Sequence, residues 1–178
     1  MELTYFSELK RTMDWLGEQD KTFFVGQTVG CPGTFMYPTL KDIPEHKRLE
    51  FPVSESFQMQ FSIGLALIGK IPITVYPRQN FLLLATADMV NMLDKIPDIS
   101  ANQVMPHLII RVASGPFKPV HPGHQHIGDF QEAFKLMFKN IKVFNLEDPS
   151  DIFSIYENAY KNPGIYLIVE HGNYYNEK

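Results

Sequence analysis

A carboxylate opens the most apolar stretch of this sequence. Glu55 follows Ser54 and precedes Phe57, Met59, Phe61, Ile63, Leu65 and Leu67, a run too long for one strand and predicted to be a buried helix ending near Gly69. At the first turn of a helix the unpaired N–H groups and the dipole favour negative charge. Glu55 is therefore either a solvated capping residue or, if the helix mouth is desolvated, a carboxyl group suited to sharing a proton with a ligand. The segment HPGHQH at 121–126 places His121, His124 and His126 within one loop. Three imidazoles could ligate a transition metal, or one could move a proton next to a substrate. No cysteine completes a metal set and Pro122-Gly123 is turn chemistry, so no metal is expected there. Tyr76 and Phe81 flank Pro77-Arg78; an aromatic face at that place either stacks on a heteroaromatic ligand or packs in the core. Arg78 and Arg111 either bind a carboxylate or phosphate or form ordinary ion pairs.

These groups need elements to hold them. Phe6, Leu9, Met13 and Leu16 recur at helical spacing between Thr4 and Gln19, with Thr4 placed as the cap. TFFV at 22–25 is a short apolar strand broken at Gly26, and a glycine- and proline-rich loop follows to Pro44. IPITVY at 71–76 is a β-branched strand, and 80–95 is predicted to be one further helix. LIIRV at 108–112, a helix near 129–139, KVFN at 142–145, a helix at 149–161 and IYLIVE at 165–170 continue the alternation. The expected architecture is one α/β domain spanning 1–178, a three-layer αβα doubly wound, mostly parallel sheet of about five or six strands. Ligands of such sheets sit beyond the carboxyl ends of the strands, here the loops 26–44, 76–81 and 112–128.

The totals narrow the function classes. With 44% hydrophobic and 20% charged residues among 178, the chain has the composition of a folded soluble domain. Its net charge of -4 offers nucleic acid no attraction. The single cysteine, Cys31, forms no internal disulfide, no stretch is long enough to cross a bilayer, and the start has no leader pattern. A cytoplasmic location, with neither nucleic acid nor membrane as partner, is the expectation. The phosphate-binding Gly-rich loops, the dinucleotide fingerprint and the hydrolase elbow are missing.

Six segments carry a resemblance in order. DKTFFVGQTVG at 20–30, RLEFPVSES at 48–56, FLLLATADMVN at 81–91, RVASGP at 111–116, QHIGDF at 125–130, and NIKVFNLEDPSD at 140–151 with NPGIYLIVE at 162–170 together resemble the pyrimidine-binding domain of transketolase-like thiamine diphosphate enzymes. The nearest resemblance is to the beta subunit of two-subunit 2-oxo acid dehydrogenases. It implies that Glu55 hydrogen-bonds the aminopyrimidine ring of thiamine diphosphate and promotes formation of the cofactor ylid, which then attacks a substrate carbonyl. It also implies that Phe81, Tyr76 and Gln27 contact the cofactor and that His126 faces the substrate as a second catalytic residue, with His124 the second choice in that loop; Arg78, as a candidate anion binder, is the other expected substrate contact. The reaction class is cleavage or transfer of a two-carbon or acyl unit from a 2-oxo acid or ketose-like donor, by decarboxylation, oxidation or ketol transfer.

The departures from the family pattern matter as much. Gln27 stands where relatives carry Glu, Gln79 where many carry an aromatic, and Leu84 where deoxyxylulose phosphate synthases carry an arginine for phosphate. No Gly-Asp-Gly segment is present and the family's carboxyl-terminal domain is lacking. The resemblance therefore implies a separate alpha-type subunit that binds the diphosphate and Mg2+, with the active centre between the two chains, in a heterotetramer of two of each. An apolar helix 55–68 fits burial at such an interface. A non-catalytic scaffold or binding protein that kept the fold is the alternative.

Overall fold

Six segments are strands: β1 (Thr22–Gly26), β2 (Arg48–Glu50), β3 (Ile71–Tyr76), β4 (Leu108–Ser114), β5 (Ile141–Asn145) and β6 (Ile165–His171). In the computed structural model, which describes residues 3–118 and 121–176, they form one sheet in the order β2-β1-β3-β4-β6-β5, with every neighbouring pair parallel. Residues of β3 and β6 are almost wholly buried, as strands with helices on both faces must be. Gly26 ends β1 because a Cβ there would lie 2.4 Å from the Val75 carbonyl oxygen; only glycine permits that approach.

Two cores result. On one face α1 (Tyr5–Glu18) and α7 (Pro149–Lys161) bury Leu9, Met13, Leu16, Ile152 and Tyr156 against Phe24, Ile73, Ile109 and Ile168. On the other, α2 (Glu55–Leu67) and the segment after β3 bury Met59, Ile63, Leu82, Met89 and Leu93 against Ile110, Val112, Leu167 and Val169. Thr4 caps α1 as expected: its hydroxyl accepts from Ser7 N over 3.1 Å, and Ser7 Oγ accepts from Thr4 N over 2.9 Å.

Four expectations are corrected. The stretch predicted to be one helix over 80–95 is instead α3 (Gln79–Leu82), α4 (Thr86–Asn91) and α5 (Ile96–Ile99), joined by single 3-10 turns at Leu83–Ala85 and Leu93–Lys95. Asp94, in the second of these turns, ties it to the start of β5: its Oδ1 accepts from the backbone N–H groups of Lys139, Asn140 and Ile141 at 3.0, 2.7 and 3.1 Å. Strand β2 falls where no strand was expected, because three partly exposed residues carry no detectable period. Finally, α2 is buried along one side only: Phe57, Leu67 and Ile68 are 53%, 49% and 75% exposed. The helix expected near 129–139 is shorter, α6 (Gln131–Met137).

The strand order sets where a ligand fits. The chain passes from β1 to β2 on one side, then crosses back to β3 on the other. Outside the carboxyl ends of β1 and β3 the connecting loops diverge, which opens a crevice.

Candidate functional site

Glu55 is the first residue of α2 and its head lies at that crevice, because a helix joining parallel strands runs antiparallel to them. It is 5% exposed. Its Oε1 accepts from Gln27 Nε2 over 3.1 Å, and Gln27 directly follows β1. Oε2 makes no hydrogen bond among the described residues. A buried carboxylate with one oxygen tethered keeps the other available to accept a further donor. The helix mouth is thus desolvated, the condition under which Glu55 is more than a cap.

The surroundings hold that geometry in place. Tyr76 is wholly buried, and its hydroxyl donates to the Glu55 carbonyl over 3.0 Å. Burial, with the Glu55 and Asp88 charges adding to it, pushes its phenol well above the ordinary value, so it stays a donor. The ring therefore sits in the core, one of the two readings open to it from the sequence, and its hydroxyl supports Glu55 through the backbone carbonyl. Gln58, one turn on, is also fully buried and donates to Thr74 Oγ1 and Val75 O at 2.9 and 3.0 Å, which clamps α2 to β3. Glu50, at the end of β2, accepts from Thr28 N and Gly30 N at 2.6 and 2.7 Å. These bonds stabilise Thr28 at φ 58, a conformation costly for a β-branched residue, and so aim Gln27 at Glu55. Neither Glu50 nor Gln58 was singled out from the sequence; the local pattern around each is that of an ordinary strand end and an ordinary helix.

A second group lies past β3 and β4. Phe81 is half-buried, with its ring edge-on to His126 at 5.4 Å between centroids. His126 Nδ1 is buried without a hydrogen-bond partner. Arg78 Nη1 donates to Gly115 O over 2.8 Å and to His126 O over 3.1 Å, which ties the histidine loop to the turn after β3. Gln79 is a fully buried strut, donating to Ser114 Oγ and Asp129 Oδ1 at 2.5 and 3.1 Å and accepting from Phe130 N at 2.5 Å. It positions this loop and does not line the opening. His124 is exposed and lies edge-on to His121 at 5.7 Å, away from the Phe81–His126 contact. Pro119 and Val120 of the same loop lie outside the described residues.

Other predicted groups fall elsewhere. Arg111 is sealed in the opposite core, where its Nε and Nη2 donate to Glu170 at 2.6 and 3.0 Å. Tyr156 and Tyr175 hydroxyls complete the carboxylate's shell at 2.8 and 2.5 Å. Burial pulls the Arg111 guanidinium down, but the Glu170 charge outweighs it and holds its pKa above the usual value. Arg111 is thus the ion-pairing arginine. A depression of about 710 Å³ runs along α1 past Phe6, Arg11 and Trp15 and contains none of the predicted site residues. Among the described residues no three His, Cys, Asp or Glu side chains are grouped to hold a metal, and no helix is long and apolar enough to cross a membrane.

The architecture, a doubly wound parallel sheet, is shared with solved proteins. A split-gene transketolase in an inactive beta4 tetramer superposes with a TM-score of 0.72 at 16% identity, over 94% of this chain and 51% of that one. A thiamine diphosphate-dependent 4-hydroxybenzoylformate decarboxylase from Rhodococcus jostii RHA1 superposes with a TM-score of 0.63 at 13% identity, over 97% of this chain and 31% of that one. No protein-family model matches the sequence, and no curated protein does. The chain shares its fold with these two proteins and spans about half the length of one and about a third of the other.

Proposed function

We propose that this chain is the pyrimidine-binding subunit of a thiamine diphosphate-dependent enzyme, with Glu55 as its catalytic carboxylate. One observation carries the proposal: Glu55 is 5% exposed at the head of α2, with Oε1 held by Gln27 and Oε2 free of any partner among the described residues. That arrangement fits a heterocycle presenting one ring nitrogen. Glu55 would hold the nitrogen, Phe81 would pack near the ring, and Gln27 would fix the carboxylate. Thiamine diphosphate, when bound, supplies a nucleophilic carbon and then an electron sink for cleavage beside a carbonyl. The work of this chain is to bind and orient the ring, to exclude water, and to hold the shared proton at Glu55. His126, with its unpartnered Nδ1, is the group on this chain placed to exchange a proton with a 2-oxo acid or ketose-like donor.

The partner follows from what this chain leaves uncovered. Phe57, Leu67 and Ile68 of α2 and Leu84 after α3 are 53%, 49%, 75% and 64% exposed, and Gln60 Nε2 joins α2 to α4 through Asp88 Oδ1 at 2.9 Å. Exposed apolar side chains along one helix and the segment beside it fit a subunit interface. The occupant proposed is an alpha-type chain that contributes the diphosphate and Mg2+ site, in a heterotetramer in the cytoplasm. The fold shared with a split-gene transketolase supports a divided enzyme.

The test is co-expression with a chain containing Gly-Asp-Gly encoded nearby, followed by thermal unfolding of the purified complex. Thiamine diphosphate with Mg2+ at 100 times its Kd should stabilise the complex by about 2.7 kcal/mol. Glu55→Gln should shrink that gain and abolish donor consumption. A complex indifferent to the cofactor would instead support the non-catalytic scaffold.

A further inference from the structure

We propose that the cleft between the β1–β2 loop and the turn after β3 binds an anionic group, held between the free edge of the Arg78 guanidinium and the Lys118 ammonium. This deepens the proposed function and rests on its placement of the active centre at this end of the sheet. The cleft encloses about 380 Å³, and Thr34, Phe35, Phe81 and Pro116 wall it beside the two cations.

The guanidinium is built into the wall. Both bonds from Nη1, to Gly115 O at 2.8 Å and His126 O at 3.1 Å, go to backbone carbonyls and fix its plane. Its Cζ lies 5.9 Å from the Phe35 ring centroid, so an aromatic face supports it from one side. An arginine has five N–H donors in a fixed fork. The Nε and Nη2 protons make no hydrogen bond among the described residues, and that pair of donors matches the two oxygens of a carboxylate or phosphate.

Charge points the same way. Arg11 and Arg111 face carboxylates, Glu8 and Glu170; among the described residues neither Arg78 nor Lys118 forms an ion pair. Two uncompensated cations on one small cleft are unexpected in a chain of net charge -4. Burial also costs the Arg78 guanidinium hydration and draws its pKa down, a penalty that an incoming anion removes. Phe35, Phe81 and the prolines lower the local dielectric, which strengthens that attraction relative to an open surface. Because Arg78 is bonded to the His126 carbonyl and Phe81 touches the His126 ring, an anion here would tighten the loop that carries the histidine.

The experiment is a titration of the full chain, at fixed ionic strength, with inorganic phosphate and separately with acetate. It is followed by the 15N–1H signal of Arg78 Nε. The expected result is a saturable shift, with Arg78→Gln and Lys118→Gln each weakening binding by roughly tenfold, read for the variants by calorimetry. Tighter binding of phosphate assigns the cleft to a phosphate-bearing ligand, and equal or tighter binding of acetate assigns it to a carboxylate. Shifts that do not saturate, or affinities that both variants leave unchanged, overturn the proposal. Should Arg78→Gln lose its fold along with its two carbonyl bonds, the exposed Lys118→Gln decides alone. The titration contains neither thiamine diphosphate nor turnover, so its failure leaves Glu55 untouched, and a complex that ignores thiamine diphosphate leaves the titration to stand by itself.

Discussion

The Gln27 amide donates to Glu55 Oε1 across 3.1 Å, joining the residue after β1 to the first residue of α2. Two chain segments 28 residues apart thereby share one carboxylate. An amide can only donate its N–H here, whereas a glutamate at the same place would compete for the proton. Gln27→Met keeps the length and removes the donor. Stability in urea should change by less than about 1 kcal/mol, while donor consumption by the assembled enzyme should fall about tenfold, as for a hydrogen bond to a charged group.

Glu50 is expected to act on Gln27 at one remove. Its two backbone bonds hold the Thr28–Gly30 turn, so Glu50→Ala should release the loop. In the assembled enzyme the KM for the cofactor should rise several-fold with little change in kcat, and Glu50→Gln should restore part of the loss. A purely structural role would lower Tm and leave that split unmoved.

Asp94 carries a pH signature. Burial opposes its ionisation, but the N–H groups of Asn140, Lys139 and Ile141 and the Lys95 ammonium outweigh it and hold its pKa below the ordinary carboxylate value. A depressed folded pKa gives stability that is present above the unfolded pKa of about 3.9 and is lost as pH falls through the folded value. Asp94→Asn should therefore cost roughly 1–3 kcal/mol at pH 7. The gap from the parent should narrow below about pH 4, as read from urea unfolding across pH.

The sealed Arg111–Glu170 pair predicts strong non-additivity. Glu170→Gln leaves a guanidinium buried without its counter-charge and should cost about 3–5 kcal/mol. Replacing both, as Arg111→Met with Glu170→Leu, should cost less than either single change. Chemical denaturation of the four proteins closes that cycle.

The outward side of α2 should govern assembly and not folding. Phe57→Asp and Ile68→Asp alter exposed positions, so the isolated chain should keep its stability within about 0.5 kcal/mol. Association with the partner chain should weaken by roughly 30-fold or more, the effect of losing one strong contact. Sedimentation of the mixed subunits measures it.

Much of the fold was legible because the strands are fully covered: TFFV, IPITVY, LIIRV and IYLIVE stand out as apolar runs bounded by turn residues. The turn at Leu93–Lys95 was not, because Asp94 reads locally as a solvent-facing residue and its partners lie 45 to 47 positions away. Glu55 was visible as a charge at the mouth of an apolar helix. Tyr76 stayed open between two roles for a related reason: an aromatic at a strand end looks the same whether its ring meets a ligand or its hydroxyl meets a backbone carbonyl 21 residues earlier. Lys118 left no signal, since a lone lysine after Phe117 gains meaning only when Arg78 is folded beside it.

The most direct measurement is deuterium uptake at the thiazolium carbon of thiamine diphosphate bound to the assembled enzyme, followed by proton NMR after rapid mixing into D2O. The account predicts fast exchange in the parent and exchange slowed about 10²- to 10⁴-fold in Glu55→Ala, the span of a general acid–base contribution. Equal rates in the two proteins would contradict it.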